Sequence, residues 1–399
     1  MSEWRKYLVS ELCSDIIDCV NKTAPISDTE TPYKMLRTSD VREGFINLEG
    51  LNCVTDEVYQ KWTRRGKLQV GDVILTREAP LGEVGLVREA ENYFLGQRLV
   101  LYRTNPQVCD NRFLMYWFLN PVNKEGLKSR GVGSTVTHLR VPECERIVIT
   151  APELKTQQRI ADILSAYDDL VENNQRQIKL LEEAAQRLYK EWFVDLRFLG
   201  HEHVKIVDGV PEGWVVRTIG ELCVKTKKTV DPQNIPAGTP YIGLEHIPRH
   251  DFCLSEWGEA SAVASSKAKY EKYDIIFGQI RPYFHKVGFA LNDGVASTDS
   301  FIMKPHEGVW GLFLMTVFSD DFVNYTYQTC KEGAKMPRAD WNQMQKYPVL
   351  IADNKRQKVF EESIAGIVER VRVLALQNRS LTEARDRLLP KLMSGEIEV

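Results

Sequence analysis

Lys and Arg side chains are concentrated in three segments of the chain, residues 61–77, 265–286 and 327–346. Positive clusters of this kind neutralise the phosphates of a nucleic-acid backbone. The composition as a whole is not basic, because 52 Lys and Arg residues stand against 55 Asp and Glu residues and the formal net charge is −3. Any surface that binds nucleic acid must therefore be local.

Side chains with directed hydrogen-bond donors and acceptors, which can read the edges of bases, occur in two pairs of segments. One pair is 133–140 and 333–338, and the other is 76–77 and 278–281, each of which follows a predicted strand. The alternative for each residue is a solvated charge or a turn position. In these segments and the adjoining basic runs, the candidate DNA-contacting residues are Arg77, Ser134, Thr135, Thr137, His138, Arg140, Gln279, Arg281, Lys286, Lys335 and Arg338.

The familiar catalytic motifs are missing from the sequence. It has no Gly-x4-Gly-Lys-Ser/Thr loop for ATP, no Gly-x-Ser-x-Gly elbow and no Asn-Pro-Pro-aromatic signature of amino-methyltransferases. His246, His250 and Cys253 have a spacing found in metal sites, but a fourth ligand is not evident and Pro248 interrupts the segment. No motif for ATP binding or for these catalytic reactions is therefore visible, and we predict that the chain binds no metal.

The elements that would position these residues occur twice, because the sequence repeats itself at an offset of about 200 residues. A chain of 399 residues has room for two or three domains. The repeat indicates two related halves, each with a divergent front and a better preserved back. Matching residues include Phe113, Leu114, Met115 and Phe118 with Phe313, Leu314, Met315 and Phe318, and, at an offset of 202, Asp72-Val73-Ile74-Leu75 with Asp274-Ile275-Ile276-Phe277.

Each front is predicted to be a mixed α/β domain. Short runs of β-branched and aromatic residues are typical of strands, and longer apolar runs without Gly or Pro after their first residues predict short buried helices. The predicted strands are 73–75, 99–102, 275–277 and 301–303, and the predicted buried helices are 113–119 and 310–318.

The backs are predicted to be long helices that form a coiled coil. In both halves, apolar residues follow a heptad pattern over four heptads. Each helix has one Asn in a seam, and an antiparallel pair would place Asn174 opposite Asn378, whereas a parallel pair would not. Pro390 predicts that the second helix ends near Leu388. At 1.5 Å per residue, such helices make a rod of roughly 45–50 Å with one front at each end.

The sequence predicts a cytoplasmic protein that does not associate with membranes. No apolar run reaches the ~18 residues that a membrane span requires, and the N-terminus lacks the apolar core of a signal peptide. The eight cysteines are scattered without a Cys-x-x-Cys pair, which favours reduced thiols.

Four longer motifs stand out in the sequence. They are Pro152-Glu153-Leu154-x-x-Gln157-Gln158-Arg159-Ile160-Ala161, Val210-Pro211-Glu212-Gly213-Trp214, Tyr241-Ile242-Gly243-Leu244-Glu245 and Leu388-Leu389-Pro390-Lys391-Leu392-Met393-Ser394-Gly395-Glu396-Ile397. Together they resemble motifs of the specificity subunits of type I restriction-modification systems, and the resemblance covers nearly the whole chain. Two places depart from the pattern: the second helix opens with the degraded form Asn354-Lys355-Arg356-Gln357-Lys358, and the N-terminus has only Glu3-Trp4 where the second front has Pro-Glu-Gly-Trp.

The resemblance implies two target recognition domains in tandem, residues 1–152 and 211–352. Each would read one half of a bipartite, gapped site in double-stranded DNA. Two conserved helical regions, 153–195 and 353–392, would form the antiparallel coiled coil, set the gap and dock two methyltransferase subunits, while residues 196–210 would be a linker.

The resemblance also implies that catalysis resides in partner subunits, which form a site-specific deoxyribonuclease and adenine-specific DNA methyltransferase complex. The methyltransferase subunits would bind S-adenosylmethionine, and two restriction (motor-nuclease) subunits would bind ATP and Mg²⁺. This chain would bind no cofactor and would not be an enzyme by itself. Two other interpretations stay open, a self-sufficient DNA methyltransferase or nuclease with unrecognised motifs, and a coiled-coil scaffold whose heads do not bind DNA.

Overall fold

The chain folds into two compact units, each built from a mixed α/β front and part of each long helix. The first unit comprises Met1–Asp169 with Leu381–Val399, and the second comprises Leu170–Ser380. This arrangement confirms the predicted fold class. The computed structural model describes residues 4–131, 137–226, 228–260, 265–330 and 336–399.

The first unit contains short strands and helices followed by the first part of a long helix. Its strands are β1 (Arg5–Leu8), β2 (Cys13–Asp18), β3 (Lys34–Leu36), β4 (Val41–Arg42), β5 (Phe45–Ile46), β6 (Asn52–Cys53), β7 (Val73–Arg77), β8 (Leu81–Leu86), β9 (Tyr93–Leu95), β10 (Leu99–Thr104) and β11 (Val148–Ala151). Its helices are α1 (Val9–Leu12), α2 (Asp56–Trp62), α3 (Asn111–Leu119), α4 (Pro121–Arg130), α5 (Val141–Glu145) and the start of α6 (Leu154–Tyr189).

The second unit has a related but not identical order of elements, with additional strands and, among its described residues, no α-helix at the place of α2. Its strands are β12 (Ile206–Val207), β13 (Val210–Pro211), β14 (Val215–Thr218), β15 (Cys223–Lys225), β16 (Thr229–Val230), β17 (Pro240–Ile242), β18 (Cys253–Leu254), β19 (Gly258–Glu259), β20 (Lys267–Tyr270), β21 (Ile275–Gly278), β22 (Val287–Ala290), β23 (Gly294–Ala296), β24 (Ser300–Pro305) and β25 (Pro348–Ile351). Its helices are α7 (Ile219–Leu222), α8 (Trp310–Phe318), α9 (Asp320–Gln328), α10 (Trp341–Met344) and most of α11 (Asn354–Ser394).

One sheet in each unit, antiparallel in the first unit and mixed in the second, holds the strand that leads to the candidate DNA-contacting loops. In the first unit the order is β2-β10-β7-β8, and in the second unit β21 lies between β24 and β22 in a five-stranded sheet. β7 and β21 are almost fully buried along their length. All four predicted strands are confirmed, and they correspond to β7, β10, β21 and β24.

The two predicted buried helices are confirmed as α3 and α8, but their N-termini are capped differently. The carboxylate of Asp110 accepts hydrogen bonds from the first amides of α3. α8 has no such neighbour, and Glu361 of α11 accepts from Gly311 N at 2.6 Å and Leu312 N at 2.9 Å instead. In both units a carboxylate therefore satisfies donors that the helix leaves free.

The long helices run antiparallel within each unit. In the second unit, Asn174 Nδ2 donates to Gln377 Oε1 at 3.3 Å, and Trp192 packs on Phe360 at the other end of the same segments. The side-chain oxygen of Asn378 is buried without a hydrogen-bond partner in the described part of the chain. The pairing of Asn174 with Asn378 in one layer stays a prediction, since the observed contact involves the residue beside Asn378.

The prediction that the second helix ends near Leu388 is wrong, because α11 continues through Pro390 to Ser394. Leu389, Leu392 and Met393 are buried in the core of the first unit. Burial of a large apolar side chain contributes ~1.5–3 kcal/mol, and three of them offset the cost of about 3 kcal/mol for a proline inside a helix. Tertiary packing therefore overrides the local signal.

Candidate nucleic-acid interface

Three backbone segments meet at the end of β7 in the first unit. Arg77 N donates to Arg98 O at 2.8 Å, and Leu139 N donates to Arg77 O at 3.0 Å. Glu78 and His138 pair as an isolated antiparallel bridge. We call this meeting point the first junction, and it consists of residues 77–78, 98 and 137–140.

The same arrangement occurs at the end of β21 in the second unit. Gln279 N donates to Asp299 O at 2.8 Å, and Ala339 N donates to Gln279 O at 2.9 Å. Ile280 and Arg338 form the isolated antiparallel bridge. We call this the second junction, and it consists of residues 279–281, 299 and 336–340.

The two junctions are equivalent in the repeat. Every backbone partner in the second junction lies 200 to 202 residues after its counterpart in the first. Each junction joins the two kinds of segment chosen from the sequence, the loop after a central strand (β7 or β21) and the loop that follows α4 or α9. The structure thus brings together the paired candidate loops in both units.

The side chains at the junctions differ although the backbone is the same. In the first junction, Arg98 Nε lies 3.3 Å from the carboxylate of Glu78. In the second junction, Arg338 Nη2 donates to Asp299 Oδ1 at 2.8 Å. Arg98 and Asp299 occupy equivalent positions in the repeat. The side chain at this position is therefore positively charged in the first unit and negatively charged in the second. Because these ion pairs are partly exposed they stabilise the fold little, and their charged groups can exchange partners.

Arg77 supports the first junction from inside. Its Nη1 donates to Leu139 O at 3.1 Å, and its Nη2 lies 3.8 Å from Cys19 Sγ. Its Nε is buried without a hydrogen-bond partner in the described part of the chain. We expect Arg77 to position the loop 137–140, and a direct contact of Arg77 with DNA stays a prediction.

The outer surface of the first junction is formed by the loop after α4. Thr137 and Arg140 are exposed and His138 is half-buried, while Leu139 between them is buried and anchors the loop. Ser134, Thr135 and Lys335, which were also predicted to contact DNA, lie outside the described residues.

The candidate residues of the second junction have different surroundings. Gln279 Nε2 donates to Thr298 O at 3.1 Å. Arg281 has a left-handed backbone with φ of +52°, and its guanidinium lies 5.7 Å from the ring centre of Phe284. Lys286 donates its ammonium protons to the carbonyl of Leu244, and burial, together with Arg249, lowers the pKa of Lys286. The side chain of Lys286 is therefore directed toward the protein, unlike that of an ordinary surface lysine.

Two kinds of residue at this surface were missed by the sequence analysis. Arg98 and Asp299 could have been found, because they occupy matching places in the repeat. The ring centroids of the exposed residues Tyr283 and Tyr327 are 5.3 Å apart. No sequence pattern indicated that these two residues belong to this surface. Exposed aromatic rings of this kind can stack on bases or ribose groups.

Some side chains of the basic segments are ion-paired or buried within the fold. Arg65 forms an ion pair with Asp18. Lys267 is buried and donates to Ser265 Oγ at 2.7 Å. The number of Lys and Arg residues in a segment therefore overstates the positive charge that it presents to DNA.

The metal-like spacing of His246, His250 and Cys253 does not produce a shared site. His246 Nδ1 accepts from Gly243 N at 2.9 Å. Cys253 lies in the core, where burial raises its pKa well above the ordinary value. The ring of His250 lies instead 4.4 Å from the ring of His285.

None of the helices in the described part of the chain has the length and apolarity needed to cross a bilayer.

A comparison with protein families matches residues 2–183 to the type I restriction modification DNA specificity domain. The type I restriction enzyme MjaVIII specificity subunit of Methanocaldococcus jannaschii is 32% identical, with 93% of this chain and 88% of that protein covered. The MjaIX specificity subunit of the same organism is 25% identical, with 82% of this chain and 78% of that protein covered. The HindI specificity subunit of Haemophilus influenzae is 20% identical over the full length of both chains.

A comparison with solved structures supports the fold. The crystal structure of the S subunit of a type I restriction-modification system from M. genitalium superposes with a TM-score of 0.61 at 16% identity, covering 98% of this chain and 96% of that one. At this identity the similarity concerns the fold alone.

Proposed function

This chain belongs to the family of type I restriction enzyme specificity subunits, and from that premise we propose that it reads the DNA sequence for a restriction-modification complex. Each unit contributes one recognition surface, centred on its junction. The first junction reads one half of a bipartite site, and the second junction reads the other half.

The repeated junction is the observation that carries this proposal. Both units keep the same backbone hydrogen bonds between the end of the central strand and the loop that follows α4 or α9. The charged side chains on that shared backbone differ, as the pairs Glu78–Arg98 and Asp299–Arg338 show. A protein that reads two different half-sites needs one scaffold with two sets of base-directed side chains.

The remaining parts of the chain fit roles outside recognition. The helices α6 and α11 supply parts of both units, and we assign to them the unread gap and the docking of two methyltransferase subunits. S-adenosylmethionine would be held by those subunits, and ATP with Mg²⁺ by two restriction subunits. The candidate residues in this chain bind and orient DNA and carry out no bond-breaking step.

Mapping methylated bases genome-wide in the source cell, with and without the gene, tests the proposal. We expect a gapped, asymmetric motif to lose its methylation on deletion and to regain it when the gene is restored. An unchanged methylation pattern in a cell that expresses the partner methyltransferase would contradict the proposal. Methyl transfer by the purified chain alone would establish the self-sufficient enzyme instead.

A further inference from the structure

Three side chains of types that bind metal ions converge beside the second junction. They are His250, His285 and Asp320, and their ligand atoms all lie within 4.8 Å of one another. They come from three separate segments, the loop before β18, the turn before β22 and the first residue of α9. Because His285 and Asp320 are distant from His250 in the sequence, only the fold brings the three together.

The hydrogen bonds of His285 define which of its nitrogens is free to bind an ion. His285 is 3% exposed, and its Nε2 lies 2.7 Å from the carbonyl oxygen of Phe318. A carbonyl oxygen only accepts hydrogen bonds, so Nε2 carries a proton and donates it. In the neutral ring, Nδ1 then holds a lone pair.

That lone pair points to another acceptor. Nδ1 of His285 lies 3.3 Å from Oδ1 of Asp320. Two acceptors that face each other repel unless a proton or a metal cation lies between them.

The separation between His285 Nδ1 and Asp320 Oδ1 suits a tetrahedral metal ion, and a ligand atom of His250 lies within 4.8 Å of both. Zn²⁺ binds His nitrogen at ~2.0–2.1 Å and carboxylate oxygen at ~2.0–2.2 Å, which separates neighbouring ligand atoms by roughly 3.3–3.5 Å. The distance between His285 Nδ1 and Asp320 Oδ1 is within this range. A metal-binding His also typically donates its second ring N–H to a backbone carbonyl, as His285 does to Phe318.

The first unit has the same backbone at this place without the imidazoles. Gly85 in β8 and Gly288 in β22 correspond, since each faces an Ile of the neighbouring central strand. Three residues before each glycine, Gly82 has φ of +88° and His285 has φ of +52°.

The loop that packs on this strand likewise has a histidine in the second unit where the first unit has another residue. The carbonyl of Phe45 lies against Gly85, and the carbonyl of Phe252 lies against Gly288. Two residues before each Phe, Glu43 and His250 have φ of +52° and +60°. The fold therefore requires a left-handed backbone at both positions, but it does not require histidine there. Only the second unit has histidine at both positions.

We propose that His250, His285 and Asp320 bind a divalent transition-metal ion such as Zn²⁺, with a fourth position open to water. The bound ion would join the turn 282–285 to α9 and to the loop before β18. Arg281 of the second junction immediately precedes that turn, so the ion would hold one side of the recognition surface in place. Binding needs neither DNA nor partner subunits, so its test is independent of the proposed function.

The test is a titration of the purified full chain, stripped with a chelator, with Zn²⁺ in competition with a chromophoric chelator. We expect one Zn²⁺ per chain with micromolar or tighter affinity. His250→Ala and Asp320→Ala alter exposed residues and should each weaken binding at least tenfold. His285→Asn keeps a residue type that tolerates the left-handed backbone, and it should abolish binding.

A double variant, His201→Ala with His203→Ala, is the matched control, because these exposed histidines flank Glu202 and could bind metal adventitiously. It should bind Zn²⁺ as the wild type does. Zn²⁺ should also raise the thermal midpoint of the wild type and of this control, but not of His250→Ala. Absence of micromolar binding, or binding that only the control loses, would overturn the proposal and leave a proton shared between His285 and Asp320.

Discussion

Arg385 Nη1 lies 2.6 Å from Asp168 Oδ1 inside the first unit, with the side chains 9% and 4% exposed. Tyr116 O–H donates to the other carboxylate oxygen at 2.5 Å, and burial, followed by Asp168, raises the pKa of Tyr116. The pair links α6 to α11 by a charge–charge contact. It therefore fixes the register of the two antiparallel helices in this unit, where apolar heptads alone would permit slippage.

Removal of one partner of the Asp168–Arg385 ion pair should strongly destabilise the protein. Asp168→Ala leaves the buried guanidinium of Arg385 with the exposed carboxylate of Asp386 as its remaining ion-pair partner in the described part of the chain, and we expect a loss of about 3–5 kcal/mol in the free energy of unfolding. Urea denaturation measures it. The adjacent Asp169 forms an exposed pair with Arg88 at 3.4 Å, so Asp169→Ala should change stability by about 0.5 kcal/mol or less. Equal effects of the two variants would contradict this account.

Glu182 should make the stability of the second unit depend on pH. Its carboxylate is buried and accepts from Phe252 N and Cys253 N, both at 3.1 Å. Burial, with Asp251 nearby, raises the pKa of Glu182 from 4.5 to about 8. Between these values the folded state binds the proton that the unfolded state has lost, so stability falls as pH rises from about 4.5 to about 8 and then levels off.

The variant Glu182→Gln removes this titration and keeps an oxygen that accepts from both amides. Its free energy of unfolding should decline less between pH 5 and pH 8 than that of the wild type, and at pH 8 it should be the more stable protein. Unfolding curves across this range test it. Glu183→Gln, in an exposed neighbour, should follow the wild type. A variant with the full wild-type slope would exclude Glu182 as the source.

Replacement of Pro390 should increase the stability of the protein. It lies inside α11, where it removes a backbone hydrogen bond, so Pro390→Ala should raise the free energy of unfolding by up to about 3 kcal/mol. Pro121 is the control, because it stands in the first turn of α4, where its missing N–H costs nothing. Pro121→Ala should give no gain. Destabilisation by Pro390→Ala would show that its ring contributes packing instead.

Arg338 should determine recognition of one half-site. Arg338→Ala in the assembled complex should weaken discrimination at positions in that half by about 1–3 kcal/mol, as expected for loss of a bidentate base contact. Arg98→Ala should affect the other half. Binding to duplexes in which each half is varied in turn measures both. A uniform loss over all sequences would make Arg338 a phosphate contact.

Four strands of the two main sheets, the two short buried helices and the loops of both junctions could be predicted because their signals are local or repeated. Continuous runs of apolar residues mark β7 and β21, and the repeat links Glu78–His138 to Ile280–Arg338. These features depend on residues close in sequence or related by a constant offset.

Features that depend on tertiary packing could not be predicted. The extension of α11 beyond Pro390 requires the burial of Leu392 in a core far away in the sequence. The inward orientation of Arg77 depends on Leu139 and Cys19, which no pattern in the sequence brings together. The meeting of His285 with Asp320 is of the same kind.

Exchange of one front tests the central claim most directly. Residues 1–152 are replaced by the corresponding front of a relative whose DNA site is known, and methylated bases are mapped in a cell that carries the partner subunits. The account predicts a hybrid site in which one half changes to that of the donor while the other half stays as in the wild type. A site that changes in both halves, or in neither, would contradict the assignment of one half-site to each unit.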